Sequence, residues 1–313
     1  MKKNVLILAG PTAVGKTATA IDLAKMLNCE IISADSMQIY KYMNIGTAKP
    51  TVDEQENIPH YLLDEIEPDE EFSVALFQER AKKLIKEITD RGKTPFIVGG
   101  TGLYVNSILY NMDFTQSESN WEFRKQLEEE ARINGNEFLH NKLKQLAPEV
   151  AERIHPNNVK RVVRAIEVHS ESGENIKDFS LDLTLNEDYN YILIGLTRDR
   201  EELYERINQR VDIMIRDGLI DEVRGLLQKG YSEDLVAFKG LGYKEVIQFI
   251  KGSYSYEEMV DILKRDTRRY AKRQLTWFKR YDFIKWFNIS TYPSHEKLIR
   301  DIENFIRGHL KDV

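Results

Sequence analysis

A chain of 313 residues, 42% hydrophobic and 31% charged, is long enough to bury a sizeable core as one large domain or two modest ones. Its single cysteine excludes an internal disulfide framework and a cysteine-based zinc site, and no apolar run approaches the length that spans a bilayer. The formal net charge of −6, taken alone, argues against a nucleic-acid partner, but a cluster of cations on one face can outweigh the sum.

The N-terminus passes from two lysines straight into a strand without a signal-peptide pattern, so the expected location is the cytoplasm. Residues 4–9 are a continuous apolar run suited to a parallel strand buried on both faces. Directly after it Gly10, Pro11, Thr12, Ala13, Val14, Gly15, Lys16 and Thr17 fit G-x-x-x-x-G-K-[ST], and a helix follows through Ile21, Leu23, Ala24 and Leu27. In that setting backbone N–H groups and the helix dipole converge on an anion, Lys16 adds charge and Thr17 a Mg²⁺ ligand. The motif implies a di- or triphosphate group and leaves open which compound carries it, because kinases, motors and GTPases share it. Cys29 is expected in the turn before the second strand, as a structural residue.

Residues 30–34 predict that second strand, which delivers Asp35, Ser36, Met37 and Gln38 beside the phosphate loop if the connection is right-handed. Asp35 can bind Mg²⁺, take a proton from a nucleophile, or cap a turn. Residues 40–59 read as a long irregular segment, a kind that tends to be functional, and 60–64 as a short strand. Ser73 caps a helix that Gly92 closes, and 94–98 form the next buried strand, ending in Gly99, Gly100, Thr101 and Gly102. A hydrolytic motor would hold Mg²⁺ with an aspartate there; Asp64 could stand in for it. The glycines suit either close approach of a flat ligand, with Thr101 as its hydrogen-bonding partner, or a tight turn.

From 114 to 189 the pattern changes to charged helices over 121–133, 137–146 and 158–172, read as a helical insertion between core segments 1–113 and 190–313. The sheet resumes at 191–196, followed by a helix over 200–216, another through Val223, Leu226 and Leu227, a basic helix, a last strand near 283–287 and a terminal helix. The fold class is α/β: a P-loop-type parallel sheet flanked by helices, with an inserted all-helical domain. Arg206 and Arg210, four apart on one helix face, form either a diphosphate clamp or a solvated face. Between Lys264 and Arg280 eight cations face only Asp266, a density that favours phosphate-backbone contact by residues such as Arg268 and Lys272, with Tyr270 and Trp277 available for stacking. Lys160, Arg161 and Arg164 make a smaller basic group on the insertion. Two basic faces on separate lobes could grip one folded polynucleotide.

Six blocks occur in order: GPTAVGKT at 10–17, SADSMQIYKYMNIGTAKP at 33–50, IPHYLLD at 58–64, VGGTGLY at 98–104, RIHPNNVKRVVRAIEV at 153–168 and KRQLTWF at 272–278. Carrying them, the chain resembles the tRNA dimethylallyltransferase (isopentenyl-tRNA transferase) family along nearly its whole length. The resemblance implies transfer of a dimethylallyl group from dimethylallyl diphosphate to N6 of the adenosine just 3′ of the anticodon of tRNA, with Mg²⁺ and release of pyrophosphate. It makes Asp35 the general base at the adenine amino group, Thr12 and Thr17 donor contacts, and Arg210 a pyrophosphate arginine. Ser36, Met37, Gln38, Thr101 and Arg124 fall at its tRNA-contacting positions. A glycine-lined crevice would suit an adenine turned out of its stack. The partners implied are the anticodon stem-loop and the prenyl donor, no membrane, and a monomeric chain. A P-loop small-molecule or nucleoside kinase would leave the basic helix unexplained, and a non-catalytic, nucleotide-regulated RNA-binding protein would leave Asp35 unexplained.

Overall fold

The computed structural model describes residues 2–112, 114, 120–173, 175–176 and 184–310. In chain order the elements are β1 (Lys3–Ala9), α1 (Lys16–Leu27), β2 (Cys29–Ala34), α2 (Val52–Gln55), β3 (His60–Tyr61), α3 (Val74–Asp90), β4 (Thr94–Gly99) and α4 (Gly102–Leu109). Then come α5 (Trp121–Asn134), α6 (Asn136–Leu146), α7 (Pro148–Arg153) and α8 (Val159–Ser172). The chain closes with β5 (Tyr189–Thr197), α9 (Arg200–Arg216), α10 (Leu219–Gln228), α11 (Tyr243–Ile250), α12 (Tyr256–Phe278), β6 (Lys285–Asn288) and α13 (His295–Arg307).

Six parallel strands form one sheet in the order β3-β2-β4-β1-β5-β6. The apolar run of β1 lies at its centre, with Val5 to Ala9 fully buried, as expected of a strand covered on both faces. On one face α1 and α13 join Leu6, Leu8, Ile194 and Leu196 in a core that also takes in Val14, Leu23, Leu298 and Ile302. Burying Val14 completely contributes about 1.5–3 kcal/mol and anchors the phosphate loop to this core. Ser73 caps α3 by accepting the Leu76 N–H, as its position before the helix predicts.

The chain divides into two compact units, Met1–Tyr110 with Leu185–Val313, and Asn111–Thr184. Tyr110 pairs with Leu185 in an isolated bridge and the Asn186 N–H donates to the Leu109 carbonyl at 2.8 Å, so the ends are joined at that point. The division thus falls a few residues from the expected 113 and 190, and residue 113 itself lies outside the described residues. The second unit is helical, with its own core of Leu127, Leu139, Leu143, Val150, Val162 and Ile166.

Cys29 is not in a turn. It opens β2 opposite Thr94 and is 3% exposed, because Asn28 caps α1 in the left-handed region and the strand begins at once. Burial pushes its thiol up to about 12, which leaves it inert as a nucleophile.

Candidate active site

Strand register assembles the site. Ala9 and Ala34 both pair with Gly99, so the phosphate loop, Asp35 and Gly100 leave the sheet in one layer at the C-terminal ends of β1, β2 and β4. That edge is where ligands of parallel sheets sit.

The loop's shape is held from behind. Ala13 and Gly15 have φ of 63° and 111°; glycine takes such a value freely, whereas for alanine it costs about 1–2 kcal/mol. Arg206 Nε donates to the Ala13 carbonyl at 3.1 Å and Arg198 Nε to the Val14 carbonyl at 3.0 Å. A planar peptide points its C=O and the following N–H in opposite directions, so the Val14 and Gly15 amides turn away from the two arginines, as an anion nest requires. Arg206 therefore braces the loop and is not paired with Arg210 in a simple clamp.

Lys16 Nζ donates to the carbonyls of Gly10 at 2.9 Å and Pro11 at 2.8 Å. Burial lowers its ammonium to about 8; the Asp35 carboxylate opposes that shift and the Arg210 guanidinium adds to it. Burial likewise lowers Arg210, with Asp35 opposing and Arg206 adding. Lys16, Asp35 and Arg210 thus form one electrostatic cluster beside the loop. As pH rises through about 8 the Lys16 ammonium of the free chain loses its proton, and binding an anion then requires proton uptake. Affinity for inorganic pyrophosphate, measured calorimetrically, is expected to fall as pH rises beyond that point, by about tenfold per pH unit.

Asp35 Oδ1 accepts the Met37 N–H at 2.9 Å, so the residue does cap a turn. Among the described residues Oδ2 accepts no hydrogen bond, which leaves it to take a proton or a cation. Thr101 lies alongside: its N–H donates to the Ala34 carbonyl and its Oγ1 accepts the Ser36 N–H, both at 3.1 Å. Thr17, the second residue of α1, is exposed, and its hydroxyl makes no hydrogen bond among the described residues. Thr17 and Asp35 are thus two oxygen donors beside the loop, of the kind that suits Mg²⁺, which keeps waters and uses phosphate oxygens for the remaining positions.

A third wall comes from the basic helix. Gln274 on α12 accepts the Thr12 N–H on Oε1 at 2.9 Å and donates from Nε2 to the Gly100 carbonyl at 3.0 Å. Tyr270, one turn earlier, touches the Gln274 side chain, and burial together with the Asp35 charge raises its hydroxyl above the ordinary range.

Residues 38–281 match the family model described as IPP transferase. The chain belongs to the IPP transferase family. Among the relatives of this IPP transferase family member, a tRNA dimethylallyltransferase of Alkaliphilus oremlandii is 62% identical over 100% of both chains. A second, of Clostridioides difficile, is 54% identical over 99% of this chain and 100% of its own. A crystal structure of the full-length tRNA isopentenylpyrophosphate transferase from Bacillus halodurans superposes with a TM-score of 0.74 at 44% identity, covering 99% and 97% of the two chains. A structure of a eukaryotic dimethylallyltransferase acting on tRNA gives 0.81 at 27% identity, covering 99% of this chain and 81% of that one.

Within this IPP transferase scaffold several expectations change. The glycines that end and follow β4 are packed against protein. A Cβ on Gly99 would sit 2.2 Å from the Ala34 carbonyl oxygen, one on Gly100 2.2 Å from Gln274 Nε2, and one on Gly102 2.2 Å from the Trp277 ring. Neither a flat ligand nor a turn conformation is needed to explain them, and none of the three has a positive φ. Trp277 is accordingly committed to α4, and Tyr270 faces the Asp35 side of the site. Asp64 follows the edge strand β3 and pairs with Lys49 at 2.6 Å, away from the β1–β4 junction where a motor's metal-binding aspartate would stand.

Gln38 spends its amide on the protein, donating to the carbonyls of Thr47 and Ala48 at 3.2 Å each. Met37 lies against Gly240, where its Cε would be 2.8 Å from an added Cβ. The loop they belong to is pinned by Glu222, which accepts the N–H groups of Asn44 at 2.8 Å, Ile45 at 2.7 Å and Gly46 at 3.1 Å and the Tyr243 hydroxyl at 2.6 Å. The segment 40–59 is thus ordered and includes the capping-box helix α2.

In the helical unit, Glu167 is fully buried and accepts Arg124 at 2.8 Å, Arg164 and the Asn120 N–H. Those two arginines offset a buried carboxylate whose loss of hydration would otherwise be costly, and they hold the helices of the unit together. Lys160 and Arg161 are exposed on α8. On α12, Arg268 donates to Asn208 of α9 at 2.5 Å and Lys264 pairs with Asp212 at 2.6 Å, whereas Lys272 and Lys279 are exposed with no ion-pair partner among the described residues. Arg198, Glu222 and Gln274 escape the sequence reading, with only the block KRQLTWF marking the last of them, and Tyr270 entered it as a stacking residue and not as a wall of this site.

Proposed function

We propose that the chain is a tRNA prenyltransferase that moves a dimethylallyl group from dimethylallyl diphosphate to N6 of the adenosine 3′ of the anticodon. The observation that carries this reading is the cluster of Lys16, Asp35 and Arg210, with two cations and one carboxylate, beside a phosphate loop tied to a cation-rich helix. Its near-full-length relatives named for that activity support the same reading. The N6 nitrogen forms a bond to the allylic C1 as the C1–O bond to pyrophosphate breaks, and the N6 proton passes to Asp35 Oδ2. Lys16, Arg210 and the Val14 and Gly15 amides take the charge that grows on the leaving group. Thr12 and the rest of the loop, Gly10 to Thr17, bind the donor. Mg²⁺, held by Thr17 and substrate oxygens, would neutralise further diphosphate charge when bound.

The anticodon stem-loop meets Asp35, Ser36, Met37 and Thr101 at the site. The exposed cations Lys272, Arg273 and Lys279 of α12 serve its phosphates, and Lys160 and Arg161, exposed on α8 of the helical unit, are tRNA contacts on the family resemblance. The enzyme is a cytoplasmic monomer in this proposal; among the described residues no helix is long and apolar enough to cross a membrane.

Incubating unmodified tRNA with dimethylallyl diphosphate and Mg²⁺ and digesting it to nucleosides tests the reaction. Prenylated adenosine is expected, and its absence under turnover conditions would sink the proposal. Salt dependence tests the interface. Replacing both Lys272 and Lys279 by alanine should reduce the slope of log K against log salt by about 1.4–1.8, at 0.7–0.9 for each phosphate no longer neutralised. Arg268→Ala should instead lower thermal stability through its lost tie to Asn208, and a slope change equal to that of the double variant would return Arg268 to the interface.

A further inference from the structure

Gln274 stands among exposed cations on α12 yet is only 6% exposed itself, with both ends of its amide engaged by backbone from two different strand ends. Its reach to Gly100 depends on the missing Cβ there. The Thr12 N–H that it accepts belongs to the same peptide plane as the Pro11 carbonyl. That carbonyl, pointing the opposite way, accepts Lys16 Nζ at 2.8 Å. Rotating the plane would take the acceptor away from Lys16.

We infer that Gln274 is a positioning residue for the prenyl-transfer reaction: by fixing the Pro11–Thr12 peptide it places the Lys16 ammonium against the diphosphate. The inference rests on the transferase reading for its role in turnover, but the placement itself concerns only the diphosphate site. Other walls of that site, Arg206 and Arg198, hold the carbonyls of Ala13 and Val14 respectively, so among the described residues Gln274 is the side chain from outside the loop that holds the Pro11–Thr12 peptide. The same amide also makes the cationic helix part of the active site.

A double-mutant cycle with Gln274→Met and Lys16→Met, read by binding of inorganic pyrophosphate in Mg²⁺ buffer, tests it. Gln274→Met retains length and loses both hydrogen-bonding functions. Alone it should weaken pyrophosphate about tenfold and lower kcat by at least as much, since small misplacements of a charged group are costly, while tRNA affinity stays within about twofold. In the Lys16→Met background the same change should cost less than about twofold, because residues that act through one another are non-additive. Additive losses would overturn the inference, as would a fall in tRNA affinity matching the fall for pyrophosphate. Should Gln274→Met fail to fold, Gln274→Glu keeps an acceptor for the Thr12 N–H and must retain more pyrophosphate affinity than Gln274→Ala; equal losses would count against it. If the unsubstituted chain forms no prenylated adenosine while the cycle shows coupling, the transferase reading falls and the placement of Lys16 by Gln274 stands.

Discussion

Asp35→Asn is expected to lower kcat by about 10²–10⁴-fold, the usual contribution of a positioned general base, while tRNA affinity stays within about twofold. The substitution isolates the proton-transfer role because asparagine keeps an oxygen for the Met37 N–H that Asp35 Oδ1 now accepts, so the turn after β2 survives. The change removes the charge and the basic Oδ2. It also removes the carboxylate that opposes the lowering of Lys16 and Arg210, so a second signature accompanies the first. With Asp35 neutralised, Lys16 loses its proton at lower pH, and the pH above which pyrophosphate affinity falls should move down from about 8. Single-turnover rates on preformed tRNA complexes, with calorimetry for pyrophosphate, separate the two effects. A variant that turns over normally, or whose loss lies wholly in tRNA affinity, would remove Asp35 from proton transfer.

The parts of the site legible in the sequence are those written locally. The phosphate loop follows from one octapeptide between a buried strand and a helix, and Asp35 from its place at the end of the next apolar run. Parallel register then brings Ala9, Ala34 and Gly99 into one layer without further information. What the sequence leaves hidden depends on partners far along the chain. Gln274 meets Thr12 across 262 positions, and nothing near either residue signals the other. Gly100 and Gly102 look like ligand-facing glycines until α12 fills the space over them. Arg268 and Arg164 look like free cations until Asn208 and Glu167 are seen beside them. The helices α7 and α11 are short, at 6 and 8 residues, too brief for periodicity to stand out from flanking loops. Function was more legible than side-chain role for this reason: ordered blocks identify a family, whereas a cation's task is set by its neighbours.

Lys16→Met should cost about 10²–10³-fold in kcat, the loss seen when one preorganised donor to a developing negative charge is removed. Methionine approximates the length of the lysine stem and leaves Val14 and the core beneath the loop in place, so the fold is expected to hold. The decisive measurement is the pH profile. For the unsubstituted chain kcat/KM for the prenyl donor, which reports the free enzyme, should decline above about pH 8 as the Lys16 ammonium loses its proton. In Lys16→Met that decline should vanish, leaving a low and flat alkaline limb, and the two chains should converge in activity as pH rises. Arg210 is the second cation of the cluster and so sets the residual rate in both. An alkaline decline that persists in Lys16→Met would assign the titration to another group and leave Lys16 as a structural anchor for the carbonyls of Gly10 and Pro11. Convergence would instead establish the loop's lysine as the cation that meets the departing pyrophosphate.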